Sequence, residues 1–551
     1  MQSRALMPPL TVSAGHLLSA PQLLDERQRS ERRTFAIVGG LTFTLGPALI
    51  WLGATSGFGT VAAGIGVLAL LALLMLRPVT GFFITTAAVV IIEQAGLQTP
   101  IFTDHLYVFY WPPSFAGFVE RPIGILLLLT LGIVALRRFA TRRTPLEGGP
   151  LFWPLLGLLA CVVVGVLHGL QAGGNFKIIV LEVRPFEYLF LGYLLAYNLV
   201  EKKSHLVAFF WIVIVGAGIK ALQACYLVFV IYQGHVADLN EIMAHEESFF
   251  WVALLLLVVL FALHHRHRGQ LAAALVILPF LLIGLVANNR RADYVAFVVG
   301  ATVAWLLVIV LKRTGRLKHL VIFGCVAALA AGYVLIFSHA SGTFAEPARA
   351  IMATIHPSAT DARDAASNLY RIYEDFDLKY TAKQSPVIGW GFGRPFLQPL
   401  VLPNILDLDP YYLYVPHNTI YWVMMRLGAL GFFALWYLIG ALVVRGCQIA
   451  RSLLDPYLQL VAIYVVSVTF MEVILAYADY QLFFYRNVIY LGLLAGILMR
   501  LPKIDAAQAA QATADKATAG SGAAQDNTVA TARGARPSAR PVAALVKGAP
   551  R

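Results

Sequence analysis

Residues 288–311 read NNRRADYVAFVVGATVAWLLVIVL, and this stretch decides the fold class. From Tyr294 onward it is free of charge for long enough to cross a bilayer, which takes roughly 17–25 apolar residues as a helix. Similar runs recur along a chain of 551 residues that is 59% hydrophobic and 13% charged. Since no water-soluble fold can bury so much apolar surface, we predict an all-α, polytopic membrane bundle.

The apolar runs predict about fourteen transmembrane helices. Alternate loops are rich in Lys, Arg and His, as in RRFATRRT and LKRTGRLKH, whereas the loops between them are acidic, aromatic or neutral. By the positive-inside rule the basic loops and both termini are cytoplasmic. The predicted spans are 34–53, 57–76, 79–95, 121–137, 150–169, 178–199, 205–232, 248–263, 270–287, 292–311, 319–338, 417–443, 456–476 and 482–499.

These spans divide the chain into five segments. Residues 1–33 form a polar cytoplasmic N-terminus without a cleavable signal peptide, and 34–338 hold the first eleven spans. Residues 339–416 form a long loop on the outer face, 417–499 hold the last three spans, and 500–551 form a disordered cytoplasmic tail. The net charge of +13 comes from the cytoplasmic loops and tail, so we expect contact with anionic lipids and not nucleic acid. The four cysteines lack ligand spacing and predict neither disulfides nor a metal site.

The long outer loop carries local structure. Apolar residues recur at helical spacing from Leu369 to Tyr380, which predicts an amphipathic helix over about 366–384. In the following PVIGWGFGRPF, Gly389, Gly391 and Gly393 alternate with bulky residues. Such glycines allow positive φ and a close approach of the backbone to a ligand or to another chain segment.

Five basic residues stand at the outer face, where the rule predicts few: Arg184, Arg290, Arg291, Arg371 and His417. Each has a purely structural alternative. Arg184 could pair with Glu182 or Glu187, Asp293 could pair with one of the two adjacent arginines, and Arg371 could pair with Glu374 or Asp375. Asn418, next to His417, could simply cap a helix.

Fixed cations at bilayer depth are costly to keep, so their accumulation on one face predicts an anionic ligand. Guanidinium groups bind phosphate oxygens in pairs, and a helix beginning at the arginine pair would add backbone N–H donors. A neutral His417 can accept a proton from a hydroxyl group. Together these residues indicate group transfer from a lipid diphosphate to a hydroxyl acceptor.

Three motifs make the chain resemble the O-antigen ligase and polymerase superfamily of bacterial membrane glycosyltransferases. They are NNRRADYVAF, then NLYRIYEDF leading to SPVIGWGFGRPF, then PHNTIYWVMMRLGALGFFAL, whose Gly428 and Gly431 supply a Gly-x-x-Gly pair. The similarity spans about 284–443, and Arg184 lies at a plausible family position. Where the family usually has Ser-Arg-small, this chain has Asn289-Arg290-Arg291, which leaves the catalytic arginine open by one residue.

The resemblance implies a metal-independent enzyme without a cofactor in the bacterial inner membrane, with its active site facing the periplasm. Its donor would be an undecaprenyl-diphosphate-linked glycan, and its acceptor a glycolipid or another lipid-linked glycan. His417 with Arg291 or Arg290 would be catalytic, and Arg184 and Arg371 would bind the diphosphate. Membrane lipids and a polysaccharide-assembly complex are further expected partners, and ligase and polymerase stay open.

Two other functions remain as alternatives. A transporter or flippase for a lipid-linked sugar would need ionisable groups near the midplane, where this chain has Lys220, Arg426, Glu472 and Arg486. A buried Lys220–Glu472 pair would be one such site. A non-catalytic assembly scaffold would not need the cations on the outer face.

Overall fold

The computed structural model of the protein is helical, and the residues that it describes contain no β-strand. These residues are 58–94, 103, 106–111, 119–235, 242–264, 267–312, 315–340, 342, 345–355, 362–406 and 410–534. The predicted first span, 34–53, lies outside them. All-α is therefore confirmed as the fold class for the described part of the chain.

Fifteen helices follow one another in these segments: α1 Phe58–Leu76, α2 Val79–Ile91, α3 Pro122–Ala140, α4 Phe152–Gln171, α5 Phe176–Leu199, α6 Lys203–Tyr226, α7 His245–His264, α8 Arg268–Ala287, α9 Arg291–Leu311, α10 Arg316–Phe337, α11 Glu346–Ile355, α12 Ala362–Gln384, α13 Thr419–Ser452, α14 Pro456–Ala478 and α15 Tyr485–Gly534. A π-helical turn, Leu227–Ile231, continues α6.

Ten of these helices are long and apolar enough to cross a membrane, namely α3, α4, α6 with its π turn, α7 to α10, and α13 to α15. The helices α1 and α2 contain only shorter apolar stretches, and α5 carries charges such as Glu182 and Arg184. The described residues thus show a multi-pass membrane protein, and the number of fourteen spans stays a prediction because span 34–53 lies outside them.

Two regions differ from the sequence-based expectation. The helix α15 leaves the bundle and continues to Gly534, so residues 500–534, predicted to be disordered, are helical. Alanine and glutamine recur in this stretch, and both have high helix propensity. The long loop contains the predicted helix, α12, and also α11, which was not predicted.

Small residues bring the central helices together. Gly192 of α5 faces the backbone of α15 at Ile489, and Gly492 of α15 faces the backbone of α5 at Leu189. A Cβ atom at either glycine would overlap a carbonyl oxygen of the neighbouring helix. Close approach through small residues is a common way for membrane helices to associate, because it maximises van der Waals contact.

The glycine-rich segment after α12 packs between α4 and α13. Gly389, Gly391 and Gly393 all have φ near +80°, as the sequence predicted. The N–H of Gly391 donates to the carbonyl of Arg426 in α13, and the N–H of Phe392 donates to the carbonyl of Gly165 in α4. The close approach made by these glycines is therefore to other segments of the protein backbone.

A buried ion pair stabilises this glycine-rich segment. Arg426 contacts the carboxylate of Glu182 in α5 at 2.6 Å, and its guanidinium also donates to the carbonyls of Gly391 and Arg394. The other oxygen of Glu182 accepts from the N–H of Gly393. Glu182 thus binds Arg426, and the predicted alternative in which it pairs with Arg184 does not occur.

The other charges near the middle of the bundle form a second buried network. Lys220 contacts Glu93 and Glu247, and Arg486 contacts Glu246 and Glu247 at 3.3 and 2.5 Å. The considered Lys220–Glu472 pair is not formed. Because these cations are balanced by acidic side chains from other helices, their placement is accounted for by helix packing.

Candidate active site

A cavity of about 650 Å³ lies at one end of the bundle, where α9 and α13 begin and α14 ends. The loop helix α12 covers one side of it. Its wall joins apolar residues of α13 and α14 with a polar group from α9, α12 and the start of α13: Arg291, Asn368, Arg371, Glu374, Asp375, His417 and Asn418. Three of the five predicted basic residues are therefore in one cavity.

His417 is held by a buried carboxylate. Its backbone N–H donates to Glu374 Oε2 at 3.0 Å, and its Nδ1 lies 3.2 Å from the same oxygen. The Glu374 side chain is 1% exposed, whereas that of His417 is 29% exposed and borders the cavity. A proton on Nδ1 satisfies the carboxylate and leaves Nε2 as a hydrogen-bond acceptor.

Two tyrosine rings fix the plane of the imidazole. The rings of Tyr370 and Tyr480 stand edge-on to His417, with centroids 5.7 and 5.8 Å away. Asn418 accepts the N–H of Tyr421, so it caps α13 as one alternative predicted. The helix therefore starts at Thr419, two residues after His417, and this holds the histidine at the cavity edge.

Arg371 reaches the cavity from α12, one helical turn before Glu374. Its predicted salt bridge with Glu374 is replaced by the contact of Glu374 with His417. The Nε of Arg371 is buried and has no hydrogen-bond partner. This N–H group can therefore donate to an oxygen atom of a ligand.

Asp375 is a second acidic residue of the cavity wall. Burial raises its pKa to about 6, against the opposing effects of Lys379, of the hydrogen bond from Asn418 and of Arg371 itself. The charge of the cavity thus changes in the pH range in which such a membrane protein works.

The two adjacent arginines have different surroundings. Arg291 is the first residue of α9 and lines the cavity, whereas Arg290 precedes the helix. Arg290 acts electrostatically on Asp293 and Asp479. The geometry thus favours Arg291 as the cavity residue of the pair and Arg290 as a partner of the acidic groups behind it.

Arg184 lies apart from the other predicted cations. Its guanidinium donates to the hydroxyl of Tyr485 at 3.1 Å and to the carbonyl of Val119 at 2.5 Å. Neither Arg184 nor the three loop glycines belongs to the cavity wall given by the described residues. The structure therefore brings together Arg291, Arg371 and His417, with Arg290 adjacent, and places Arg184 and the glycines elsewhere.

An acidic group that the sequence did not reveal lies behind His417. Asp479, directly after α14, contacts His245 at 3.1 Å. Burial raises its pKa, but the nearby His245, Arg290 and His417 outweigh this effect and lower it below its usual value. The only signal for this group was the acidic character of the loops around 245 and 479, which was used to assign topology.

The comparison with known protein families supports the predicted resemblance. Residues 276–436, from within α8 to within α13, match the family model described as O-Antigen ligase. This segment is therefore similar to the O-antigen ligase family. It contains both arginines of the pair, Arg371, the glycine loop and His417, while Arg184 and Asp479 lie outside it. No curated protein gives a significant match.

The match also indicates a type of activity. It supports glycan transfer of the O-antigen ligase and polymerase type, at the level of the family. The motifs that carried the resemblance, at 288–297, 368–396 and 416–435, all fall inside the matched segment.

Proposed function

We propose that the protein transfers a glycan from a polyprenyl-diphosphate-linked donor to a hydroxyl acceptor. The observation that carries this proposal is the convergence of His417, with its buried partner Glu374, on a cavity that Arg291 and Arg371 also line. A general base and two guanidinium groups are what this transfer needs, since the attacking oxygen loses a proton and the leaving diphosphate carries negative charge.

In the proposed step, Nε2 of His417 accepts the proton of the acceptor hydroxyl while Nδ1–H donates to Glu374. The hydroxyl oxygen attacks the anomeric carbon, and the bond from that carbon to the diphosphate oxygen breaks. The electron pair leaves with the diphosphate, and the configuration at the anomeric carbon is inverted. Glu374 stabilises the positive charge that develops on the imidazole.

Arg291 and Arg371 neutralise the leaving diphosphate from two different helices, α9 and α12. Arg291 begins α9, so the free N–H groups and the positive dipole end of this helix add to its charge. Arg371 supplies a planar fork for phosphate oxygens. The step requires no metal, in agreement with the family resemblance, and Arg184 can bind the donor only at a second position, near Tyr485.

The charge pattern of the loops supports a location in the bacterial inner membrane with both termini in the cytoplasm. The cavity would then face the periplasm, where lipid-linked glycans are joined. The acceptor is a glycolipid if the protein is a ligase, and another lipid-linked glycan if it is a polymerase. A polysaccharide-assembly complex would be its setting.

Cells that lack the chain test the proposal directly. Loss of long chains with single repeat units still on their acceptor would indicate a polymerase, and polymer left on the polyprenyl carrier would indicate a ligase. Arg291→Ala and His417→Ala should abolish product without affecting insertion, while Arg445→Ala, away from the cavity, should have a mild effect. An unchanged glycan profile, or equal effects of all three substitutions, would refute the proposal and favour transport.

A further inference from the structure

The loop helix α12 is amphipathic, but its apolar side is exposed and several of its polar residues are buried, which is the opposite of a surface helix on a water-soluble protein. One side carries five exposed apolar residues, which we call the apolar stripe: Leu369, Ile372, Tyr373, Phe376 and Tyr380. Phe376 is 49% and Ile372 is 62% exposed. The polar residues Glu374, Asp377 and Thr381 on the opposite side are buried against the protein. Such a helix has its hydrophilic side satisfied by the protein and its hydrophobic side uncovered.

Contacts with α13 place this stripe beside a membrane-spanning helix. The ammonium group of Lys379 lies 4.4 Å from the ring centroid of Tyr421, in the first turn of α13. Farther along, the N–H groups of Ala429 and Leu430 donate to the carbonyls of Pro386 and Val387. These residues follow Gly428, whose non-helical backbone interrupts α13. The helical segment before this break rises roughly 12 Å, at 1.5 Å per residue. The chain after α12 therefore descends beside α13.

A second exposed apolar surface lies next to the stripe. Val387 and Ile388, shortly after α12, are exposed, as are Leu430 and Phe433 on the adjoining part of α13. Phe433 is 71% exposed in a helix long and apolar enough to cross the membrane. An exposed apolar surface that lies beside a lipid-facing surface has lipid as its natural neighbour.

We propose that the apolar stripe of α12 docks among the acyl chains of the adjacent membrane leaflet. Tyr373 and Tyr380 have the amphipathic rings that prefer the membrane interface. Lys379 and Lys383, both exposed at the C-terminal end of the helix, can reach anionic headgroups. The partner of this surface is therefore the lipid bilayer, and not a soluble protein.

Docking would determine the depth at which the cavity wall lies relative to the lipid headgroups. Arg371 and Glu374 lie on α12 within the same helical turns as the stripe, so a helix anchored in the leaflet holds both side chains at headgroup level. A membrane-linked diphosphate lies at that level as well. This consequence rests on the proposed function, whereas the docking itself does not.

Spin-label accessibility in lipid nanodiscs tests the docking independently of activity. The full chain, with its four cysteines replaced by serine, receives single cysteines at Leu369, Phe376 or Tyr380. The matched control is Ser367, which is exposed on the same helix, away from the stripe, but is polar. We expect the three stripe labels to collide more with oxygen than with a water-soluble nickel complex, and the control label to show the reverse.

Two outcomes would overturn the inference. Stripe labels that collide mainly with the nickel complex would show that the stripe faces water. Labels protected from both reagents would show a protein cover, and dipolar broadening between labels would identify it as a second copy of this chain.

A kinetic experiment tests the consequence for the cavity. The double substitution Phe376→Asp with Tyr380→Asp should raise the KM for the donor about tenfold, the effect of losing roughly one buried aromatic contact. The control substitution Ser367→Asp, at an exposed polar residue of the same helix, should leave KM unchanged. Equal KM values in both variants, together with stripe labels that contact lipid, would show that docking does not set the depth of the cavity wall. That result would leave the docking itself and the proposed transfer intact.

Discussion

Replacement of Glu374 by glutamine should slow the chemical step while leaving substrate binding nearly unchanged. The glutamine would keep the size of the side chain and its contact with the backbone N–H of His417, but it would lack the negative charge 3.2 Å from Nδ1. That charge favours the positively charged imidazole formed when His417 takes the acceptor proton. The loss therefore falls on the transition state and lowers kcat.

The size of the effect follows from the contact. A hydrogen bond to a charged group contributes about 1.5–3 kcal/mol, and each 1.36 kcal/mol corresponds to a factor of ten in rate. We expect kcat to fall about 10- to 100-fold, with the KM for the donor changing less than about threefold. His417→Ala should lose about 10²- to 10⁴-fold. The double variant should be no slower than His417→Ala, because Glu374 acts through the histidine.

The assay measures release of polyprenyl diphosphate from a lipid-linked donor by the purified protein in nanodiscs, at saturating acceptor. Asp377→Asn is the matched control, since Asp377 is also a buried acid of α12 but binds the N–H of Leu400 away from the cavity. It should retain kcat per folded molecule. An unchanged kcat for Glu374→Gln, or additive losses in the double variant, would refute the proposed role of the pair.

Three further predictions concern the cavity and the buried Arg426–Glu182 pair. Arg371→Lys should raise the KM for the donor roughly tenfold, because lysine keeps the charge but loses the fork that binds two phosphate oxygens; an equal KM would argue against diphosphate contact. As pH rises through about 6, Asp375 ionises and adds a negative charge to the cavity wall, so the KM for the anionic donor should rise. Asp375→Asn should flatten this profile, and a profile unchanged by the substitution would assign the pH effect to another group. Arg426→Met should destabilise the fold by about 3–5 kcal/mol in thermal unfolding, since it leaves Glu182 buried without its cation, and adding Glu182→Leu should restore part of the loss.

Sequence reasoning located the elements that depend on local pattern. Hydropathy placed thirteen of the predicted spans on helices of the described chain, and helical periodicity placed α12. Charge position identified three residues that line one cavity, Arg291, Arg371 and His417, from segments far apart in the chain. This was possible because a cation is costly at the end of a membrane helix, so its presence is informative by itself.

The choice of partners could not be predicted in the same way. Arg184 contacts Tyr485, which is 301 residues away, and Glu182 contacts Arg426 in place of its neighbour in sequence. Similarly, Glu374 lies one turn from Arg371 but contacts His417. Short spacing predicted the wrong pairs because a buried carboxylate takes the donor that the packed helices bring to it, and helix packing depends on contacts that no local window contains.

Which side of α12 packs against the protein could not be predicted from the sequence, for a different reason. Periodicity from Leu369 to Tyr380 predicts an amphipathic helix equally well whether its apolar side meets the protein or lipid, because the pattern contains no information on the solvent. In water, Phe376 would be expected inside and Glu374 outside, and the structure shows the opposite. The acidic side turns inward because His417 and the N–H groups of the loop satisfy it there, and the apolar side can remain outside only next to acyl chains. The residue that positions the proposed base is therefore held on a helix whose orientation depends on the membrane, so removing the lipid should disturb His417 before it disturbs the bundle.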